Sequence, residues 1–250
     1  MRVGLIGSGN IARALARGWG DPVLCSDSGS GRAAELAAEL GGRAASNREV
    51  AEEADLVVLC HKPSQLDAVA GEIAGDVRAV ASVLGGTSAD QLRTAYPGVP
   101  LFRLVPNTPV EVRQGVTCYV PVDGVDPELE RDVLDLFSRV GTVVTIEDRL
   151  LSVAAAVFSV GPAYQALLAE AQVDAAVRLG LKPALASRLV TETMAGSAAL
   201  LQARDYDTLA VRRDVTSPGG STARGLDALE RSGVRAAFQA AMDRVCEVAG

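Results

Sequence analysis

Apolar and polar positions follow two different rhythms along this chain. Up to about residue 150, short apolar runs alternate with amphipathic stretches. Arg2–Ile6, Val23–Cys25, Leu56–Cys60, Ala79–Leu84, Leu101–Val105, Val116–Val120 and Thr142–Ile146 read as strands. Leu56–Cys60 is as uniformly apolar as a strand covered on both faces must be. Ile11–Trp19, Arg32–Leu40 and Pro127–Val140 carry the spacing of helices packed on a sheet. Strands alternating with helices predict an α/β, doubly wound sheet. After Glu147 the strand signal stops. Leu150–Leu179, Ala184–Leu201, Asp205–Arg213 and Ser221–Val248 read as helices. The expected domains are therefore an N-terminal sheet domain over 1–149 and an all-helical domain over 150–250, comfortable for 250 residues. The long apolar helices have more buried-type surface than so small a domain can cover. That excess predicts a subunit interface, against the alternative of one compact bundle.

Composition narrows the partners. Net charge is −7, and the basic residues are scattered among acids, which argues against a phosphate-tracking nucleic-acid surface. No apolar run is expected to span a membrane. Cys25, Cys60, Cys118 and Cys246 lie far apart, without metal-ligand or disulfide spacing. Reduced thiols and the lack of a leader pattern at the start point to the cytoplasm, with no metal site expected.

The first chemical motif is Gly7-Ser8-Gly9-Asn10-Ile11-Ala12, directly after a strand and opening a helix. Gly7 permits the tight turn, and Gly9 lets a pyrophosphate approach the backbone. Ala12 is small enough for the helix to pack close to the strand. The helix start offers unpaired N–H groups to phosphate oxygens. This predicts a Rossmann-type dinucleotide-binding domain. The end of the second strand normally decides the cofactor. Asp27 there suits the ribose hydroxyls of NADH, yet Ser28, Ser30 and Arg32 follow in a turn suited to the extra phosphate of NADPH. Asp27 also reads simply as a helix cap. Cofactor preference is left open between NADPH and NADH.

Cys60-His61-Lys62-Pro63 follows another strand, at the level where strand ends line a cofactor crevice. His61 is the chain's one histidine and reads either as a general base or as a structural residue. Lys62 reads as a charge on the cofactor side or in solvent. Val105-Pro106-Asn107-Thr108-Pro109 is a proline-locked turn. Thr216-Ser217-Pro218-Gly219-Gly220-Ser221-Thr222 is a second glycine-rich loop at a helix start, able to hold a carboxylate or simply to cap the helix.

Together these segments, with Asn47, Lys62-Pro63, Gly161-Pro162-Ala163-Tyr164 and Gly225-Leu226-Asp227-Ala228-Leu229-Glu230, resemble the pyrroline-5-carboxylate reductase family from Val3 to about Val245. The resemblance implies a reductase that passes a hydride from NAD(P)H to the C=N bond of 1-pyrroline-5-carboxylate, giving L-proline. It implies that Ser217, Gly219, Gly220, Ser221 and Thr222 surround the substrate carboxylate. Thr222 would also hydrogen-bond the ring nitrogen as the catalytic hydroxyl. The cofactor would meet Gly7, Ser8, Gly9, Asn10, Ile11, Ala12, Asp27, Asn47, Lys62 and Pro63. Assembly would be a homodimer through the C-terminal helices, with a higher homo-oligomer as an extension. The sequence departs from the family at Phe158 and Val160, where small hydroxyl residues are usual, at His61, usually apolar, and over Ser82-Val83-Leu84-Gly85-Gly86. These changes keep two further readings open: an imine reductase for a different cyclic imine, and a non-catalytic NAD(P)-binding regulatory homologue.

Overall fold

A computed structural model describes residues Met1–Ala249. The chain opens with β1 (Val3–Ile6), α1 (Asn10–Trp19), β2 (Leu24–Ser26), α2 (Arg32–Leu40), β3 (Arg43–Ala44), α3 (Asn47–Glu53) and β4 (Leu56–Leu59). Next come α4 (Leu66–Ile73), β5 (Val80–Ser82), α5 (Ala89–Ala95), β6 (Leu101–Pro106), β7 (Gly115–Val120), α6 (Pro127–Ser138) and β8 (Gly141–Thr145). Helices complete it: α7 (Leu151–Phe158), α8 (Gly161–Arg178), α9 (Pro183–Ala203), α10 (Thr208–Asp214), α11 (Ser221–Arg231) and α12 (Val234–Ala249).

The eight strands form one sheet in the order β3-β2-β1-β4-β5-β6-β7-β8. The order turns back between β1 and β4, so the crevice at their C-terminal ends is where a ligand belongs. All neighbours are parallel except β6 and β7, which pair antiparallel with Val105 opposite Cys118. The connection from Pro106 to Gly115 is too short for a crossover helix, so the chain reverses there. From β7 to β8, α6 supplies the crossover and parallel pairing returns.

Side chains alternate across the sheet and build a core on each face. Leu5, Val58 and Phe102 point to the face covered by α1, α2 and α6. Ile6, Val57 and Leu101 point to the face covered by α3, α4 and α5. The apolar pattern by itself marks neither β3 nor these last three helices because each is short. Capping explains how such short helices start. Ser46 with Glu49 and Ser88 with Gln91 form reciprocal capping boxes at α3 and α5.

Packing divides the chain into Met1–Pro162 and Ala163–Val248. The first unit runs past residue 149 because α7 packs on β7, the strand next to the sheet edge. Leu151 joins Cys118 and Val120, with Ala154 and Phe158 against them. Arg103 on β6 adds an ion pair with Asp148.

The second unit has almost no interior of its own. Of α8 to α11, only Ala186 is buried. Leu167, Leu179, Leu185, Leu189 and Leu229 are exposed. One span, Asp148–Arg178, is long and apolar enough by composition to cross a membrane. This corrects the expectation that no run reaches that length. The span is broken by the helix end at Ser159, and its first part is committed to the sheet edge.

Candidate active site

The opening turn is built as a cradle. Gly7 has φ +98, and a Cβ there would stand 2.7 Å from Cys60 C and His61 N. Only glycine fits that conformation beside the end of β4. A Cβ on Gly9 would meet nothing within 4 Å, so open space lies where a phosphate would approach. Gly9 caps α1 without a side-chain acceptor, leaving the first N–H groups of the helix to a ligand. Ser8 fixes the turn by donating its hydroxyl to the Ser26 carbonyl at 2.9 Å. Ala12, in the first turn of α1, is fully buried. These residues fit a dinucleotide pyrophosphate.

The turn opens onto a cleft of about 390 Å³. Gly7, Ser8, Gly9, Asp27, Asn47 and Lys62 line it, as do Ser28, Ser30, Arg32 and His61. Gln65, which no sequence signal marked, lines it too. Asn10, Ile11 and Ala12 lie behind the turn, and Pro63 lines a separate surface depression. A larger groove of about 520 Å³ lies at the opposite ends of the strands, near Met1, Trp19 and Gly42. Strand N-termini carry no phosphate cradle, so the chemistry belongs to the smaller cleft.

Asp27 is engaged in organising its own loop. Its carboxylate accepts from the backbone N–H groups of Gly29 (2.7 Å), Ser30 (3.1 Å) and Ala33 (2.8 Å), and from the Ser30 hydroxyl (3.0 Å). The Ala33 N–H, with the other donors, holds the carboxyl below its ordinary range. Asn47 is likewise paired at both ends. Its Oδ1 accepts from Ser26 Oγ at 2.6 Å, and its Nδ2 donates to Glu72 at 2.6 Å. His61 is half-buried, which lowers its pKa; the Lys62 carbonyl, 2.9 Å from Nδ1, acts in the other direction.

The Asn107 turn is a staple. Asn107 is buried, donates through Nδ2 to the Phe158 carbonyl at 2.9 Å, and accepts from the Val116 N–H at 2.8 Å. It ties the reversal between β6 and β7 to the end of α7. Phe158 packs on the Leu151 cluster.

In the second unit, the loop before α11 repeats the logic of the first turn. Gly219 has φ +67, and the Gly220 N–H donates to the Ser217 carbonyl at 3.1 Å. Gly220 caps α11 without a side-chain acceptor, so that helix start also presents free N–H groups. Arg224 steadies the loop by donating to the Gly219 carbonyl at 2.7 Å. Ser221 is exposed and Thr222 half-buried.

A doubly wound sheet with a phosphate cradle and an appended helical unit defines a nicotinamide-dinucleotide oxidoreductase. Residues 148–250 match the family described as pyrroline-5-carboxylate reductase dimerisation, and residues 2–84 match NADP oxidoreductase coenzyme F420-dependent. A pyrroline-5-carboxylate reductase of Mycobacterium leprae is 33% identical, over 96% of this chain and 93% of that protein. The NADP-bound pyrroline carboxylate reductase of Plasmodium falciparum superposes with a TM-score of 0.88 at 26% identity, over 100% of this chain and 97% of that one. The 1-pyrroline-5-carboxylate reductase of Streptococcus pyogenes gives 0.88 at 29% identity, over 100% and 98%. The chain belongs to the pyrroline-5-carboxylate reductase family.

Proposed function

We infer that this chain reduces 1-pyrroline-5-carboxylate to L-proline with NAD(P)H. The observation that carries this is the intact Thr216–Thr222 loop, with its uncapped helix start, in a chain similar to such reductases along nearly its whole length. When bound, the reduced nicotinamide supplies the hydride. The ring carbon of the C=N bond takes the hydride and the nitrogen ends with a proton, so the imine becomes an amine. A cyclic imine protonates readily and then accepts hydride well, so the protein's task is mainly positioning. The free N–H groups of the first turn of α11, at Ser221 and Thr222, suit the substrate carboxylate. Ser217 and Gly219 shape that loop. The Thr222 hydroxyl suits the ring nitrogen, where it orients the imine and assists protonation. Gly7, Ser8, Gly9 and the start of α1 at Asn10 suit the pyrophosphate. Asn47 and Lys62 suit the dinucleotide's remaining polar groups.

The preferred cofactor in this reading is NADPH. Asp27 is occupied by its own loop, which removes the repulsion an acid there would exert on a 2′-phosphate. Arg32 lines the cleft and makes no ion pair among the described residues.

The second unit suits a homodimer, because its exposed leucines need an apolar cover that a second copy supplies. A larger homo-oligomer extends the same argument. Four free cysteines among the described residues suit a reducing cytoplasm. A different cyclic imine is less favoured, since Phe158 packs on the sheet-edge cluster.

Steady-state assays with 1-pyrroline-5-carboxylate and each reduced cofactor test this reading. Turnover with the five-membered imine acid as best substrate, and a higher kcat/KM with NADPH than NADH, is expected. Protein that binds cofactor but turns over neither pair would be the regulatory homologue instead.

A further inference from the structure

One side chain holds the end of α7. A continuing helix would pair the Phe158 carbonyl with the N–H four residues on, but that residue is Pro162, which has none. Asn107 takes the carbonyl instead, donating through Nδ2 at 2.9 Å, while its Oδ1 accepts the Val116 N–H at 2.8 Å. The approach to α7 is also fixed on β6, by the ion pair between Arg103 and Asp148. The strand path from Arg103 to Asn107 is about 13 Å long. The helical path from Asp148 to Phe158 is about 15 Å long. The two lengths match, so α7 runs alongside β6 and in the same direction.

That direction carries the end of α7 to the crevice. Ile6 on β1, Leu59 on β4, Ser82 on β5 and Arg103 on β6 lie in one row across the sheet. The first three strands end at this row, whereas β6 continues to Pro106. Asn107 therefore stands about 10 Å beyond the level of Gly7 and three strands, about 14 Å, to its side. With the strand order β3-β2-β1-β4-β5-β6, a dinucleotide lies across the crevice with one half over each set of three strands. Asp27, just after β2, marks the adenosine half. The nicotinamide half falls to β4, β5 and β6, where the overshoot of β6 and the end of α7 make a wall. Ser159 is exposed there and Val160 is half-buried.

We propose that Asn107 is a positioning residue for the reduction: its bond to the Phe158 carbonyl sets the turn at 159–161 as the wall that holds the nicotinamide ring against the imine. Asn107 acts through the end of α7 and touches neither ligand. Hydride transfer tolerates little displacement of the reacting atoms, so a loosened wall slows the reaction more than it weakens binding. Most of the binding belongs to the phosphate turn and the adenosine half. The proposal rests on the reading of this chain as a reductase of 1-pyrroline-5-carboxylate.

Asn107→Asp, studied in the full-length protein at pH 8.5 with the new carboxyl ionised, keeps the acceptor for Val116 and loses the donor to Phe158. Kd for NADPH is expected to stay within about twofold, while kcat falls about 10- to 100-fold. The isotope effect on kcat with 4-deuterated NADPH should rise, because the transfer itself becomes slower. The emission of bound NADPH should fall, because a less enclosed nicotinamide is quenched by water. Val133→Ala opens a cavity in the core on the opposite face of the sheet and serves as the stability control. It should be destabilised and yet keep the wild-type kcat, isotope effect and bound emission. Asn107→Ser gives the same readouts if the aspartate variant does not fold. Wild-type kcat, isotope effect and bound emission in the Asn107 variant overturn the proposal, as does the same set of changes in Val133→Ala. Wild-type protein that binds NADPH without reducing 1-pyrroline-5-carboxylate refutes the functional reading instead, and the emission of bound NADPH still decides the role of Asn107.

Discussion

The Asp27 carboxylate accepts the Ala33 N–H at 2.8 Å, closing the loop between β2 and α2 around Ser28–Arg32. This bond reverses the expected effect of removing the acid. An acid facing a ribose excludes NADPH, so its loss should favour NADPH. An acid clamping the loop holds the phosphate-facing residues in place, so its loss should harm NADPH binding. Asp27→Ala is expected to raise KM for NADPH several-fold more than for NADH. It should also lower stability by about 1 kcal/mol, as lost caps do. Arg32→Ala should raise KM for NADPH about tenfold and leave NADH nearly unchanged. Kinetics with both cofactors check the pair.

Thr222→Val keeps the side-chain volume and removes the hydroxyl. It is expected to lower kcat about 10- to 100-fold, the range of a hydrogen bond to a charged group. KM for NADPH should change less than about twofold. Thr222→Ser should retain most activity. Wild-type kcat in the valine variant would take Thr222 out of the reaction.

Asn107 holds two backbone groups that nothing else satisfies in its place. Asn107→Leu leaves the Phe158 carbonyl and the Val116 N–H unpaired. A loss of about 2–4 kcal/mol is expected, at about 1–2 kcal/mol per orphaned group. Asn107→Asp keeps the acceptor and should lose roughly half as much. Urea unfolding measures both, with an unchanged m-value as the check on two-state behaviour.

His61 makes stability depend on pH in a narrow window. Its folded pKa lies below the ordinary 6.5, so the unfolded chain binds the proton first as pH falls. Stability is full above pH 6.5 and declines from there down to the folded pKa. Asp27, Glu49 and Asp55 sit below their ordinary carboxylate values, so their contributions are lost only in more acid solution. The urea midpoint should therefore fall as pH drops from about 6.5 to 5. His61→Gln should flatten that slope.

Leu185 and Leu189 sit one turn apart on α9 and are both exposed. Replacing both with arginine is expected to convert the dimer to monomer in sedimentation velocity. Wild-type sedimentation of that double variant would place the interface on other helices.

The sequence alone determined the sheet domain, the phosphate turn and the switch to helices. Those features are local. A strand's apolar run, a glycine after it and a helical period are all read within a dozen residues. It also carried the Thr216–Thr222 loop, which lies in one continuous segment. Tertiary structure decided the rest. The reversal of β7 came from the geometry of a short connection. The short helices α3, α4 and α5 are held by burial of Val50, Ile73 and Leu92 against the sheet more than by length. Asp27 read either as a ribose acid or as a helix cap until its partners were visible, and Asn107 read as a bare turn residue until Phe158 met it from 51 positions away. Partners distant in sequence decide what a polar side chain does, and no local pattern encodes them.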